Sequence, residues 1–71
     1  MSKYIKAYNA PFIKVQCNYG SELTRLYNIN EIVEIEYWDN RAYIYFKSGL
    51  NHEIGKEVAE EIDEFLMKLI R

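Results

Sequence analysis

The segment VEIEYWDNRAYIYF, residues 33–46, decides the fold because its alternation and its central turn agree with each other. Folding it about a two-residue Asp39–Asn40 turn brings apolar residues of both arms onto one face. The predicted pairs on this face are Val33 with Phe46, Ile35 with Ile44, and Tyr37 with Ala42. Asp and Asn tolerate the positive φ that tight hairpin turns use, so we expect such a turn here. The segment therefore predicts a β-hairpin with one dry face.

The opposite face of this hairpin is predicted to be aromatic and charged, with Lys47 following the second arm. Its predicted pairs are Glu34 with Tyr45, Glu36 with Tyr43, and Trp38 with Arg41. Tyr, Trp and Arg are the residues enriched at the centres of protein interfaces. The candidate partner-binding residues are Trp38, Arg41, Tyr43, Tyr45, Glu34, Glu36 and Lys47.

Two other interpretations of these residues stay open. Exposed aromatic rings beside Arg41 also suit stacking of nucleobases on a single-strand-binding sheet, although Glu34 and Glu36 would repel phosphates. Alternatively, the tyrosines simply cover their neighbours on a half-wet sheet.

The chain on either side of the hairpin predicts further strands. Residues 1–11 form an N-terminal arm or edge strand that Pro11 interrupts, and residues 12–54 form a β-meander. Alternation over Phe12–Cys17 places Ile13, Val15 and Cys17 on one face. A turn with Gly20 at positive φ follows, and the returning strand over residues 22–27 places either Leu23 or Leu26 in the core.

From Lys56 the apolar period becomes helical, so the sequence predicts a helix over residues 56–70 with Gly55 as its N-cap. Its apolar stripe consists of Val58, Ile62, Phe65, Leu66 and Leu69. Acidic residues lie near its start and basic residues near its end, an arrangement that interacts favourably with the helix dipole. The predicted fold class is α+β, a single domain over residues 1–71. It comprises an antiparallel β-meander of four to five strands with one C-terminal amphipathic helix packed on one face.

Size and composition restrict the kind of protein. The chain has 71 residues, a single cysteine and a formal net charge of −2. A domain this small without a disulfide or metal often gains stability by association, so we expect a homodimer or higher oligomer. No apolar run is long enough to cross a membrane and no signal-peptide core is visible, so we expect no membrane insertion and a cytoplasmic location. Without a basic run, nucleic-acid binding is disfavoured but stays open.

Catalytic and metal chemistry finds little support in the sequence. His52 next to Glu53 could form a proton-transfer site, but neighbours on a strand point to opposite faces. Cys17 and His52 could form a nucleophilic dyad, but the apolar periodicity around Cys17 predicts a buried, inert thiol. No ligand spacing typical of a metal site is present, and the glycines are too scattered to hold phosphates. We therefore predict a protein that is not an enzyme and has no cofactor.

Residues 12–69 resemble the small FlbD/SwrD-type proteins associated with bacterial flagella and swarming, and other small ββα modules of phages and bacteria. The shared layout is a strand (FIKVQC), a glycine turn (NYGSE), a connector (NINEIVEIE), a strand closing on FKSG and an acidic helix (EVAEEIDEFL). The N-terminal extension through Pro11 and the tyrosine-rich hairpin depart from the family pattern. The resemblance implies the order of elements and transfers neither a motility role nor any functional residue.

These observations lead to a functional hypothesis. We expect a non-enzymatic protein–protein interaction module, in its sharper form a small acidic inhibitor or regulator of a larger protein, encoded by a phage or a bacterium. The alternative is a single-stranded nucleic-acid-binding protein that uses the same aromatic sheet face.

Overall fold

The computed structural model describes residues 3–18, 20 and 22–70 of the chain. In these residues six strands form two antiparallel sheets of three, in the orders β1-β2-β3 and β4-β5-β6, and a helix follows them. The elements are β1 (Ile5–Asn9), β2 (Phe12–Gln16), β3 (Thr24–Asn28), β4 (Ile32–Tyr37), β5 (Arg41–Phe46), β6 (Asn51–Gly55) and α1 (Lys56–Leu69). The α+β class with a C-terminal helix is thus confirmed.

The prediction of one meander with four to five strands requires correction. A 3-10 turn over Ile29–Glu31 separates β3 from β4, so the meander divides into two sheets. The Asn28 side chain caps this turn by accepting a hydrogen bond from the Asn30 amide at 2.9 Å. The N-terminal stretch supplies the additional strand, because β1 pairs with β2 as an edge strand.

The first sheet buries the alternating residues of β2. Ile13, Val15 and Cys17 are buried, as predicted. The strand register places Tyr27 opposite Ile13, so the core residue of β3 is Tyr27. The expectation that Leu23 or Leu26 would enter the core was wrong, since both side chains are exposed. Gly20 has a φ of 77°, as its turn position predicts.

The second sheet contains the predicted hairpin with one change in register. Ile35 lies opposite Ile44, and Tyr37 lies opposite Ala42, as predicted. A bulge between Ile32 and Glu34 makes Ile32 the partner of Phe46, so Val33 is 62% exposed instead of facing the core.

The hairpin turn has the predicted length but another backbone conformation. The Trp38 amide donates to the Arg41 carbonyl at 2.8 Å, which closes a two-residue turn at Asp39–Asn40. No non-glycine residue among those described has a positive φ, so the expected positive-φ turn is not formed. The Asp39–Asn40 pair therefore serves the turn without entering the left-handed region.

Helix α1 packs against both sheets and completes one core. Gly55 is its N-cap in extended conformation, as predicted. The helix buries Val58, Ala59 and Ile62, while Phe65 and Leu66 pack partly buried against the same cluster. Leu69 was expected on the apolar stripe but is 43% exposed in the last turn, past the residues that reach the core. No helix in the described parts of the chain is long and apolar enough to cross a bilayer.

Candidate functional site

Six of the seven predicted partner-binding residues lie together on the outer surface of β4 and β5, which we call the aromatic face. These six are Glu34, Glu36, Trp38, Arg41, Tyr43 and Tyr45. The register places Glu34 opposite Tyr45 and Glu36 opposite Tyr43, as the alternation predicts. The hairpin thus presents these side chains on the face away from the core residue Ile44.

Glu36 organises the aromatic face by accepting two side-chain hydrogen bonds. Trp38 Nε1 donates to Glu36 Oε1 at 3.1 Å, and the Tyr45 hydroxyl donates to the same oxygen at 3.0 Å. The hydrogen bond to the Glu36 carboxylate is the first cause that raises the pKa of Tyr45 above 10.0, so its hydroxyl stays protonated at neutral pH.

Arg41 lies over the two outermost rings. Its Cζ atom is 5.9 Å from the centroid of the Trp38 ring and 5.9 Å from that of Tyr43. The two rings meet edge to face, 6.3 Å apart at 80°. These are the geometries of cation–π and edge-to-face aromatic contacts. Trp38 nevertheless remains 53% exposed, so a large apolar surface is held in place and still open to a partner.

The aromatic face carries more negative charge than the hairpin sequence indicates. Glu53 of β6 lies directly opposite Tyr43 and joins Glu34 and Glu36 there. The aromatic face therefore carries three carboxylates and one guanidinium, that of Arg41, so negative charge predominates there. Glu53 was not among the predicted site residues, because the pairing of β6 with β5 was not predicted. The alternation of Asn51–Gly55 together with that pairing would have identified it.

Lys47 is the predicted site residue that the structure does not join to the others. It is exposed and lies one residue beyond the end of β5. Its backbone amide donates to the Glu31 carbonyl at 2.8 Å, and no side-chain contact links it to the aromatic face in the described parts of the chain.

A second, concave surface lies between the two sheets and was not predicted from the sequence. We call it the edge groove; it is an open cleft of about 410 Å³ between β3 and the β5–β6 hairpin. Its principal lining residues are Arg25, Leu26, Tyr27, Phe46, Leu50 and His52. The Tyr27 ring lies 5.3 Å from that of Phe46 and 5.8 Å from that of His52, so three rings form the floor.

Polar atoms under this floor are linked in a short chain. The Tyr27 hydroxyl lies 3.3 Å from His52 Nδ1 and 3.7 Å from Cys17 Sγ. Burial raises the pKa of Tyr27. Burial is also the larger of two causes that lower the pKa of His52 below 6.5, and the second cause is the charge of Arg25. At neutral pH Tyr27 and His52 are therefore both uncharged, and the Tyr27 hydroxyl links His52 Nδ1 to Cys17 Sγ.

The two catalytic pairings considered from the sequence are not formed as direct contacts. The Tyr27 hydroxyl lies between Cys17 and His52, and Cys17 is buried as its periodicity predicts. His52 packs inward against Phe46, while Glu53 follows on the opposite face of β6, as expected for neighbours on a strand. Within the described residues, no three His, Cys, Asp or Glu side chains converge as a metal site requires.

Comparisons of this chain with protein-family models, with curated proteins and with solved structures found no match.

Proposed function

We propose that the protein is a non-enzymatic interaction module that binds another protein through its aromatic face. The observation that carries this proposal is the exposed Trp38 ring, held by a hydrogen bond to Glu36 and covered on one side by Arg41. Side chains held in this way lose little conformational entropy on binding, which favours affinity. Trp, Tyr and Arg also dominate the binding energy of protein interfaces.

The charge of the aromatic face determines what kind of partner fits it. Glu34, Glu36 and Glu53 create a negative surface around the rings. A surface with Lys or Arg side chains around an apolar centre is complementary to it. In its sharper form, the proposal is a small acidic inhibitor or regulator, encoded by a phage or bacterium, that covers a basic site on a larger cytoplasmic protein.

The test is an affinity pull-down from nuclease-treated lysate of the source cell, comparing three forms of the chain. The double variant Tyr43→Ala/Tyr45→Ala removes two rings of the aromatic face, while Phe12→Ala removes an exposed ring from the other sheet. We expect one protein to be captured by the wild type and by Phe12→Ala, and lost with the double variant. Circular dichroism confirms that both variants are folded. Equal capture by all three forms would exclude the aromatic face as the binding surface.

A single-stranded nucleic-acid binder is the alternative, favoured by the position of Arg41 beside the exposed Trp38 ring and the partly buried Tyr43 ring. Bases would then stack on Trp38 and quench its fluorescence, and the effect would weaken steeply with salt. Titration with a short oligothymidylate at low salt tests this directly. Because three carboxylates surround the rings, we expect an unchanged spectrum; salt-sensitive quenching would replace the protein-binding proposal with this alternative.

A further inference from the structure

The edge groove lies between two edge strands, one from each sheet. β3 and β6 each end the strand order of their sheet. At one end of the groove the Gly55 amide donates to the Cys17 carbonyl at 3.1 Å and joins the sheets. From there β6 and β3 border an open cleft, and no ladder pairs them within residues 3–18, 20 and 22–70.

The free edge of β6 presents backbone hydrogen-bonding groups to this cleft. The Leu50 carbonyl bonds to Phe46 of β5, whereas the Gly55 amide bonds away from β5 to Cys17. Alternate residues of an antiparallel strand direct their backbone groups to opposite sides. The amide and carbonyl groups of Asn51 and Glu53 therefore point away from β5, toward the unpaired edge of β6 that borders the cleft, where an added strand can pair with them.

Apolar surface inside and around the cleft fits side chains of such a strand. The rings of Tyr27, Phe46 and His52 form the floor. Leu26 and Leu50 at the rims are 66% and 64% exposed, which is unusual for two large aliphatic side chains lining the same concavity.

The charge at the closed end of the groove is positive. Arg25 and Tyr27 are two residues apart on β3 and pair with Val15 and Ile13, so both belong to the core-facing side of that strand. The charge of Arg25 is felt by both titratable rings of the floor. It contributes to lowering the pKa of His52. At Tyr27 it also favours a lower pKa, but burial has the larger effect and raises the pKa. Glu31 lines the other, open end. A ligand with a carboxylate near Arg25 is complementary to this arrangement.

We propose that the edge groove binds an extended peptide of a partner protein that adds as a strand antiparallel to β6. An acidic side chain lies beside Arg25, and an apolar side chain two residues further along lies on the aromatic floor. The order follows from the strand directions: β3 runs from the closed end to the open end, and a peptide antiparallel to β6 runs the same way. Strand addition supplies affinity through main-chain bonds and specificity through alternate side chains. This surface is separate from the aromatic face and does not depend on its function.

The test uses a blocked hexapeptide of sequence SETFTS, titrated to about 1 mM at pH 7.5 against the isotope-labelled full chain. We expect saturable shifts of amide resonances concentrated at Arg25, Leu26, Leu50 and Asn51. The peptide SKTFTS should bind about threefold more weakly, since an exposed ion pair is replaced by repulsion. SETSTS, without the aromatic ring, should give no saturable shifts.

Variants of the protein separate this site from other surfaces. Leu26→Ser/Leu50→Ser should abolish the shifts, whereas Met67→Ser, an exposed apolar position on α1, should leave them unchanged. Arg25→Glu should reverse the preference so that SKTFTS binds more tightly than SETFTS. Tyr43→Ala/Tyr45→Ala should bind SETFTS like the wild type, because those rings lie on the aromatic face.

Three results would overturn the proposal. One is the absence of saturable shifts with the wild type. Another is shifts confined to the aromatic face. The third is line broadening at β6 that grows with protein concentration before peptide is added, which would assign the edge to a second copy of the chain.

Discussion

Tyr37 shows how one side chain of the hairpin connects the second sheet to the helix. Its hydroxyl donates to the Ala59 carbonyl at 3.2 Å and to Asp63 Oδ2 at 3.5 Å. Burial, followed by the charge and hydrogen bond of Asp63, raises the pKa of Tyr37 from 10.0 to about 12. Ionisation would remove the donor and place a tyrosinate beside a carboxylate.

The raised pKa of Tyr37 makes stability depend on alkaline pH. Its contribution is fully present below pH 10.0, the unfolded value, and is lost as pH rises toward the folded value of about 12. We therefore expect the free energy of unfolding of Tyr37→Phe to fall less steeply over this range than that of the wild type, as measured by urea denaturation. The variant should still lose some stability over this range, because Tyr27 is retained and its pKa is also raised. Identical slopes would show that Tyr37 does not contribute.

The lowered pKa of His52 makes the free energy of unfolding decrease as pH falls, whereas the raised pKa of Tyr37 makes it decrease as pH rises. Burial and then Arg25 lower its pKa below 6.5, so the unfolded chain takes up a proton first as pH falls. Its contribution is present above pH 6.5 and is lost as pH decreases through the lower folded value. We expect His52→Gln to lose less stability than the wild type between about pH 6.5 and pH 5, above the range of ordinary carboxylates. Parallel curves for both proteins in that window would contradict this prediction.

At the scale of elements, α1 holds the N-terminal strand with one carboxylate. Glu61 Oε1 accepts hydrogen bonds from the Lys3 and Tyr4 amides, each at 2.9 Å, and from the Ile5 amide at 3.3 Å. The Tyr4 ring is buried, and its hydroxyl donates to Glu57 Oε2 at 3.3 Å. The start of β1 is thereby fixed to the helix independently of the β1–β2 ladder.

Removing this carboxylate should loosen β1 selectively. Hydrogen bonds to charged groups contribute about 2 kcal/mol, so Glu61→Ala should lower the free energy of unfolding by about that amount. Amide exchange should accelerate at Ile5 and Ala7 more than in the β4–β5 hairpin. Glu64→Ala, an exposed position on the same helix, is the control and should be nearly neutral. Uniform acceleration over all strands would mean that Glu61 stabilises the whole fold and not β1 in particular.

At the scale of the whole molecule, charge divides unevenly between the two halves. Residues 1–30 contain four Lys and Arg and one Glu, whereas residues 31–71 contain ten Asp and Glu and five Lys and Arg. The first sheet is therefore basic, and the second sheet with α1 is acidic. Surfaces of opposite sign on one chain attract each other between copies.

Together with its small core, this charge division supports the expectation of self-association. Large apolar side chains remain exposed on both sheets and on α1, and oligomerisation would cover part of them. We expect light scattering at micromolar concentration to give at least twice the 8.5 kDa mass of one chain. Added salt should shift the equilibrium toward the monomer, because screening weakens contacts between exposed charges. A stable monomer at low salt would contradict this prediction.

The aromatic face and most elements follow from local sequence patterns. Alternation in the hairpin identifies the pairing of Ile35 with Ile44 and the placement of Trp38 and Tyr43 on the other face. The change to a helical period after Gly55 locates α1. Such features depend on residues within one helical turn or one hairpin, so the local spacing of apolar and polar residues is enough to predict them.

Contacts between distant segments were decided by the tertiary structure alone. Four features depend on how the two sheets meet under α1. They are the bulge at Val33, the burial of Tyr27 in the core, the hydrogen bonds from the N-terminal backbone to Glu61, and the edge groove. A one-residue change in register reverses which face a side chain occupies, and no local period specifies it. The sequence by itself determined the aromatic face and the order of elements. The division into two sheets and the groove between their edges came from packing, because burial is settled among residues far apart in the chain.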